Sequence, residues 1–366
     1  MTRVHPRIIE LQKAAADRDD VIGLAGGLPA LELLPRAEFT RAISEVAARE
    51  DALQYGWPEG VEQLRRWIAG RLAARGARLD PEQIIITAGA QQALAIAGQL
   101  LRGRAIAVGD ATYAAALDAF QRAGARVVED GGDVRYVIVG VSNPQGVRRD
   151  DRDALLATSG PLIVDEAYAE LRFDGVVPRP LLADAPERVW HIGTISKTIA
   201  PGLRVGWLIP PPAHHDAALE RKAAADLQTA SLSQAALARL LATCSFDAML
   251  ERARRAYADR CARLVEALHA HVAGVRFAEP EGGFSIWLET DDAGDEIGLA
   301  EAAFAEGVMF DPGSAFRPRP REQIALRLSY SNAAPDAFPE AARRLARALD
   351  RWRAGPSRRG AATVVR

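Results

Sequence analysis

The sequence predicts an α/β fold, with a mostly parallel seven-stranded sheet in a large domain and a smaller α+β domain beside it. Between about residues 84 and 209, short β-branched runs alternate with helical stretches, as in a sheet whose parallel strands are joined by crossover helices. Several of these runs are continuously apolar, which indicates strands buried on both faces. After residue 246 the pattern changes to a long helix followed by short strands and helices.

Seven runs are the predicted strands of the large sheet: 84–87, 105–108, 126–128, 136–141, 162–165, 189–192 and 204–209. Helical stretches at 90–101 and 114–123 have the position expected of crossovers. The small domain is predicted to hold a helix over 247–272, strands near 275, 284–288, 308–310 and 324–329, and helices at 292–306 and 335–352.

These elements suggest four segments along the chain. We expect residues 1–37 to form an N-terminal arm and part of the small domain, and residues 38–246 to form the large domain. Residues 247–352 are predicted to complete the small domain with its linking helix. Residues 353–366 have the composition of a disordered tail.

Composition excludes several classes of function. The 46 basic and 48 acidic residues leave a formal charge of −2, so we expect neither nucleic acid nor an acidic membrane as a partner. No run approaches the roughly 18 to 20 apolar residues of a membrane span. The two cysteines, Cys244 and Cys261, and the six histidines lack the spacing of a metal site. The absence of a signal-peptide pattern and the few cysteines predict a cytoplasmic protein without a metal.

Residues that directly follow the predicted strands are the candidates for binding, because ligands of open α/β sheets lie outside the carboxyl ends of the strands. Gly89 follows the strand at 84–87 and precedes a helix, whose free amides and positive dipole end favour a phosphate. Asp165 follows an apolar strand, and a buried carboxylate there requires a cation or a strong hydrogen-bond donor.

The chain has three lysines, which can be compared one by one. Lys197 lies in a loop with hydroxyl and apolar neighbours, at the same predicted edge as Asp165. Such surroundings lower a lysine pKa by desolvation, as imine chemistry requires. Lys222 is predicted to lie on a solvated helix face and Lys13 in an N-terminal helical stretch. Lys197 is therefore the candidate reactive amine.

Three motifs occur in order along the chain: Asn-Pro-x-Gly at 143, Asp-Glu-Ala-Tyr at 165, and Ser-Lys-x-x-x-Pro-Gly-x-Arg-x-Gly-Trp at 196–207. With them, the sequence between about Gly26 and Ser331 resembles the class I/II aminotransferases, which are pyridoxal-phosphate enzymes of fold type I. The opening Gly26-Gly27-x-Pro is most similar to the branch that contains aminoadipate and kynurenine aminotransferases. The resemblance implies pyridoxal 5'-phosphate as cofactor.

Roles for the ring-binding residues follow from this resemblance. Lys197 would form the internal Schiff base and carry the proton between substrate and cofactor, and Asp165 would pair with the pyridinium nitrogen. Tyr168 and Asn143 would donate hydrogen bonds to the phenolic oxygen of the ring, and Tyr113 would stack on its face.

The resemblance also assigns the phosphate and substrate contacts. The cofactor phosphate would be held by six residues: Gly89, Ala90, Gln91, Thr194, Ser196 and Arg204. Ala90 departs from the hydroxyl residue often found in the family, so its amide would serve alone. Tyr55 would reach the phosphate of a partner subunit, which implies a homodimer. Arg327 would bind the substrate α-carboxylate, with Asn143 and Gly27 close by.

The leading functional hypothesis is an aminotransferase that moves nitrogen from an L-amino acid to a 2-oxo acid in a ping-pong cycle. A second hypothesis keeps the cofactor but changes the reaction to decarboxylation, elimination or oxidation, because the same carbanion can react in several ways. A third is a non-catalytic ligand sensor, since similar domains occur fused to helix-turn-helix regulators; the first motif begins at about residue 24, which argues against an upstream DNA-binding domain. The substrate side chain stays open.

Overall fold

The computed structural model of the protein describes residues 4–149 and 151–355. The helices of these ranges are α1 Pro6–Ala16, α2 Arg36–Ala47, α3 Glu62–Ala74, α4 Ala90–Leu100, α5 Ala114–Arg122, α6 Arg152–Ala157, α7 His215–Asp226, α8 Ser231–Thr243, α9 Phe246–His271, α10 Glu296–Ala305 and α11 Phe338–Ala354.

The strands of the same ranges are β1 Ile22–Gly23, β2 Ile85–Thr87, β3 Ala105–Ala107, β4 Arg126–Val128, β5 Val134–Ile138, β6 Gly140–Val141, β7 Arg148–Arg149, β8 Leu162–Asp165, β9 Val189–Thr194, β10 Gly206–Ile209, β11 Val275–Arg276, β12 Ser285–Ala293, β13 Val308–Met309, β14 Asp311–Pro312 and β15 Gln323–Ser329. All seven predicted strands of the large sheet are present, with ends that differ by a few residues.

The large sheet has seven strands in the order β2-β10-β9-β8-β5-β3-β4. Strand β10 is antiparallel to both of its neighbours, and the other pairs are parallel. The prediction of a mostly parallel seven-stranded sheet is confirmed. Because the parallel strands run the same way, β5, β8 and β9 bring their carboxyl ends to one edge, where the residues that follow them meet.

Both faces of this sheet are buried, as the continuous apolar runs predict. Along β2, Ile85 packs into a cluster with Leu94 and Phe120, whereas Ile86 packs into the cluster on the opposite face. Strand residues alternate between the two faces, so each face needs its own apolar cover. Helices α4 and α5 supply that cover on the Ile85 face.

A second sheet, of order β11-β12-β15-β14, is antiparallel throughout. The short strand β14 was not predicted from the sequence, and it lies opposite Arg327 and Leu326 of β15. Helix α10 begins later than predicted, at Glu296, because β12 extends to Ala293 and the Asp295 carboxylate then caps the helix by accepting a hydrogen bond from the Ile297 amide.

The N-terminal segment returns to this second region. Strand β1 pairs in parallel with β13, and the Leu24 amide donates to the Met309 carbonyl at 2.8 Å. The segment that follows β1 is thereby held beside β14 and β15. The four segment boundaries proposed from the sequence stay predictions, and residues 356–366 of the expected tail lie outside the described residues.

The prediction for Lys222 was wrong. Its side chain on α7 is fully buried, and its Nζ donates to Asp226 Oδ1 at 2.6 Å, one helical turn on. The sequence favoured a solvated face because Glu220 and Arg221 adjoin it, yet a long aliphatic stem can be covered while its amine keeps a charged partner. Among the described helices, none has the length and apolar character needed to cross a membrane.

Candidate active site

A cavity of about 240 Å³ opens at the carboxyl edge of the large sheet. Twelve of the fourteen residues singled out from the sequence line it: Gly27, Ala90, Gln91, Tyr113, Asn143, Asp165, Tyr168, Thr194, Ser196, Lys197, Arg204 and Arg327. Gly89 and Tyr55 do not. The structure therefore brings together residues from at least six separate stretches of the chain.

Lys197 lies in the loop after β9 and points its amine into the cavity. Its Nζ donates to the Gly27 carbonyl at 2.7 Å. Burial, together with the positive charges of Arg327 and Arg204, lowers the pKa of this amine to about 8, although the negative charge of Asp165 acts against that shift. A larger share of the amine is therefore neutral near neutral pH than at an exposed lysine, which makes it a better nucleophile and proton acceptor.

Asp165 ends β8 and is almost fully buried. Its Oδ1 accepts from the Ala167 amide and its Oδ2 from the Tyr136 hydroxyl, both at 2.9 Å. Burial raises the pKa of the carboxyl, and the two hydrogen bonds and Lys197 act against that rise. The expectation of a strong donor is thus met by a hydroxyl and an amide.

Tyr136 is a site residue that the sequence reasoning missed. It lies on β5, directly opposite Ile163 of the neighbouring strand β8, and is fully buried. A tyrosine at the start of an apolar run, here 136–139, is a usable signal, because its hydroxyl needs a buried acceptor. Here that acceptor is Asp165, so the Tyr136 hydroxyl helps to hold the carboxylate in one orientation.

One end of the cavity is rich in donors for an anion. Gly89 precedes α4 with φ +80°, and a Cβ atom there would lie 2.5 Å from Arg204 Nη2, so only glycine lets the guanidinium approach. The Arg204 backbone is itself in the left-handed region, with φ +52°. Its Nη2 donates to the Ala88 carbonyl at 3.0 Å. The Thr194 and Ser196 hydroxyls, which line the same cavity, lie 2.9 Å apart.

Two tyrosines flank the middle of the cavity. Tyr113 stands at the start of α5, and burial and the nearby Asp165 charge raise the pKa of its hydroxyl. Tyr168 packs edge-on against Phe284, with ring centroids 5.3 Å apart, and burial raises the pKa of its hydroxyl well above the usual range. Both phenols stay protonated at neutral pH and can donate hydrogen bonds.

Arg327, on β15, also lines the cavity. Its Nη1 donates to Asn143 Oδ1 at 3.3 Å, and its Nε and Nη2 donate to Asp311 Oδ2 at 3.1 and 2.7 Å. The guanidinium carbon lies 4.6 Å from the ring centre of Phe316. Arg327 is buried. Asp311 was not identified from the sequence.

Gly27 lies between the Lys197 amine and the Arg327 guanidinium. A Cβ atom at this position would lie 3.2 Å from the Tyr168 hydroxyl oxygen, 3.7 Å from Lys197 Nζ and 3.9 Å from Arg327 Nη1. A side chain would therefore fill the space between the amine and the guanidinium. This supports the expectation of a close approach of the Gly27 backbone to a ligand.

Comparison with known proteins identifies the family. A sequence model described as "Aminotransferase class I and II" matches residues 19–130 and 136–345, which is most of the chain. The chain belongs to this family.

Named relatives agree with this assignment. A 2-aminoadipate transaminase of Thermus thermophilus is 31% identical over 91% of each chain. An aromatic-amino-acid aminotransferase of Thermococcus litoralis is 32% identical over 91% of this chain and 89% of the relative. Proteins named as HTH-type transcriptional regulators also match, among them TauR of Rhodobacter capsulatus at 31% identity over 87% of this chain and 69% of TauR.

The fold agrees as well. The crystal structure of LysN, an α-aminoadipate aminotransferase of Thermus thermophilus complexed with N-(5'-phosphopyridoxyl)-L-leucine, superposes with a TM-score of 0.85 at 31% identity and 96% coverage of both chains. This class I/II aminotransferase therefore has the fold type I architecture, and its cofactor is pyridoxal phosphate.

The donor set of the cavity fits this cofactor. Arg204, the hydroxyls of Thr194 and Ser196 and the start of α4 all line the cavity and offer the hydrogen-bond donors that a phosphate would require. The Asp165 carboxylate can accept from a protonated ring nitrogen, and the Lys197 amine can bond to an aldehyde. No group of three or more potential metal ligands occurs among the residues that the structure describes.

Proposed function

We propose that this aminotransferase takes the amino group of an L-amino acid, releases the 2-oxo acid, and passes the nitrogen to a second 2-oxo acid in a ping-pong cycle. The observation that carries this proposal is the pairing of Lys197 and Arg327 across Gly27. The space at Gly27 lies within 4 Å of both Lys197 Nζ and Arg327 Nη1. An α-amino acid can therefore present its carboxylate to Arg327 and its Cα to Lys197 together.

Lys197 is proposed as the residue that holds the cofactor and then moves the substrate proton. Pyridoxal phosphate, when bound, supplies an electron sink for the charge that develops at the substrate Cα. The Lys197 amine, with a pKa of about 8, can accept the Cα proton when neutral and return it afterwards. The Gly27 carbonyl, 2.7 Å from Nζ, limits where the amine lies.

Asp165 is proposed to keep the ring nitrogen protonated. Its carboxylate is held by Tyr136 and the Ala167 amide, so its orientation is fixed before the cofactor binds. A buried carboxylate gains most from a cationic partner, and a pyridinium N–H offers that charge. Without such a partner the burial of Asp165 is costly, as the direction of its pKa shift shows.

A homodimer with shared sites is a further part of the proposal. Tyr55 does not line the cavity of its own chain, and its side chain is 77% exposed. Leu53 and Trp57 beside it are 70% and 76% exposed. An exposed aromatic and apolar stretch of this kind supports an interface with a second copy, through which Tyr55 would reach the partner's phosphate site. A cytoplasmic location stays a prediction from the composition.

Two-substrate kinetics test the ping-pong order. Initial rates are measured over a grid of amino-acid and 2-oxo-acid concentrations. Ping-pong transfer gives parallel lines in double-reciprocal plots, because no complex contains both substrates. Intersecting lines would contradict the proposed order while leaving the family assignment in place.

A further inference from the structure

Asp311 makes four hydrogen bonds that converge on the carboxylate side of the cavity. Its Oδ2 accepts from Arg327 Nε at 3.1 Å, from Arg327 Nη2 at 2.7 Å and from the Gly26 amide at 2.8 Å. Its Oδ1 accepts from Gln12 Nε2 on α1 at 2.9 Å. The side chain is largely buried. A carboxylate with this many donors is held in one orientation.

We propose that Asp311 is a positioning residue, which presets the guanidinium edge of Arg327 for the substrate carboxylate and ties the N-terminal segment to it. This inference rests on the proposed role of Arg327. Asp311 does not line the cavity, so it acts through Arg327 and Gly26 and not on the reacting atoms.

The hydrogen-bond count of Arg327 supports the preset edge. A guanidinium has five N–H groups. Two of them, on Nε and Nη2, donate to Asp311, and one on Nη1 donates to Asn143. One N–H on each of Nη1 and Nη2 is left, and two such groups match the two oxygens of a carboxylate. The ring of Phe316, 4.6 Å from the guanidinium carbon, limits rotation of the plane.

Charge explains why an acidic residue serves here. A buried guanidinium without a partner is strongly unfavourable, so Asp311 keeps Arg327 folded into the cavity before any substrate arrives. The Gly26 amide and Gln12 also hold the Asp311 carboxylate. The substrate carboxylate therefore does not need to displace Asp311 from Arg327. Arg327 can therefore bridge a fixed and an incoming carboxylate.

The contact with Gly26 extends the effect to Lys197. The Gly26 amide is bound to Asp311, and the next residue, Gly27, accepts from Lys197 Nζ. The Leu28 carbonyl beyond it accepts from the Ser331 hydroxyl at 2.6 Å. Asp311 is thus one of the anchors of the short segment that lies between the guanidinium and the amine.

The test compares two ligands that differ in a carboxylate. L-Leucine and its decarboxylated analogue 3-methylbutan-1-amine are titrated into wild-type, Asp311→Asn and Gln12→Ala holoenzymes, and binding is followed by the cofactor absorption. The asparagine keeps the shape and one acceptor oxygen but removes the charge. We expect Asp311→Asn to raise the Kd of L-leucine about tenfold or more, and to leave the Kd of the amine within about twofold.

The controls separate positioning from general damage. Gln12→Ala leaves Arg327 and its direct partners in place, so it should raise the Kd of L-leucine by less than Asp311→Asn does. If Asp311→Asn does not fold, Gln12→Ala is the variant that tests the inference. Asp291→Asn, an exposed carboxylate on β12 of the same sheet, should change neither Kd. Equal weakening of both ligands, or no weakening of L-leucine, would overturn the inference.

Arg327→Lys distinguishes failure of this inference from failure of the proposed function. If Arg327→Lys weakens L-leucine selectively and Asp311→Asn does not, Arg327 binds the carboxylate and Asp311 has no positioning role. If Arg327→Lys weakens neither ligand or both equally, the proposed role of Arg327 is wrong, and the inference about Asp311 fails with it.

Discussion

Two walls of the cavity are built in different ways. The strand-end wall consists of Asn143, Asp165 and Lys197, which end or follow strands of the large sheet or the short β6. The Arg327 wall consists of Gly27 and Arg327, with Asp311 bound to it from outside the cavity lining, and it combines the N-terminal segment with two strands of the second sheet. The first wall is fixed mainly by buried strands, and the second mainly by hydrogen bonds between segments that are far apart in the chain.

This difference indicates that the two walls serve different parts of the proposed function. The strand-end wall carries the groups that are proposed to bind the cofactor, on a support buried on both faces. The Arg327 wall carries the guanidinium that is proposed to bind the substrate, and it is held by the Asp311 carboxylate, the Asn143 amide oxygen and the Phe316 ring. Changes in the strand-end wall should abolish transamination, and changes in the Arg327 wall should weaken substrate binding.

The largest expected effect is at Lys197. Lys197→Ala should lose covalent attachment of the cofactor and several orders of magnitude in turnover while still folding, because it removes the only proposed nucleophile and proton carrier. The readouts are the cofactor absorption band, the transamination rate and circular dichroism. Lys13→Ala, at an exposed position of α1, should behave as wild type. Normal transamination by Lys197→Ala would refute the assignment.

A slightly smaller loss is expected at Asp165. Asp165→Ala should bind the cofactor weakly and lose several orders of magnitude in rate, since no other carboxylate among the described residues lines the cavity to support the ring nitrogen. Tyr136→Phe removes one hydrogen bond from Asp165 and should cost about tenfold or less in rate. A near-normal rate in Asp165→Ala would show that another group supports the ring.

Arg327→Lys tests the second wall. Lysine keeps the charge but cannot form the two-pronged bond, so kcat/KM for amino acids should fall by about ten- to a hundredfold. Cofactor binding should stay normal, which is checked by absorption. Arg276→Lys, exposed on β11 of the same sheet, is the matched control. A larger loss in cofactor affinity than in substrate affinity would show that cofactor binding and substrate binding are not divided between the two walls.

Tyr55→Phe tests the proposed contribution of a second copy. The loss of one hydrogen bond to the phosphate should raise the Kd of pyridoxal phosphate by about three- to tenfold without changing the oligomeric state. Equilibrium dialysis and analytical ultracentrifugation measure the two quantities. An unchanged cofactor Kd, or a wild-type protein that is monomeric at assay concentrations, would remove Tyr55 from the phosphate site.

The smallest effect is a shift in pH dependence. The Lys197 amine reacts only when neutral, so attachment of pyridoxal phosphate to the apoenzyme should speed up as pH rises towards about 8 and level off above it. Because the charge of Arg327 lowers this pKa, Arg327→Gln should move the midpoint upward. Stopped-flow absorbance at a series of pH values checks both. A midpoint near 10.5, the usual lysine value, would contradict the burial of the amine.

The same division explains what the sequence could predict. Continuous apolar strands and the residues directly after them follow from local pattern, so the seven-stranded sheet and the neighbourhood of Asp165 and Lys197 were predictable. The Asp311 contacts were not, since they join positions 12, 26, 311 and 327, and no local period encodes such pairing. The prediction for Lys222 was wrong for a related reason, because tertiary packing buries its side chain although its sequence neighbours are charged.

The central claim is that nitrogen moves between an amino acid and the cofactor held by Lys197. The most direct test adds a panel of L-amino acids, without any 2-oxo acid, to the purified holoenzyme and follows absorption and product release. We expect the absorption band of the lysine-bound cofactor to be replaced by that of the pyridoxamine form, with one 2-oxo acid released per site. Continued turnover without an acceptor, or a protein that takes up no pyridoxal phosphate, would contradict it.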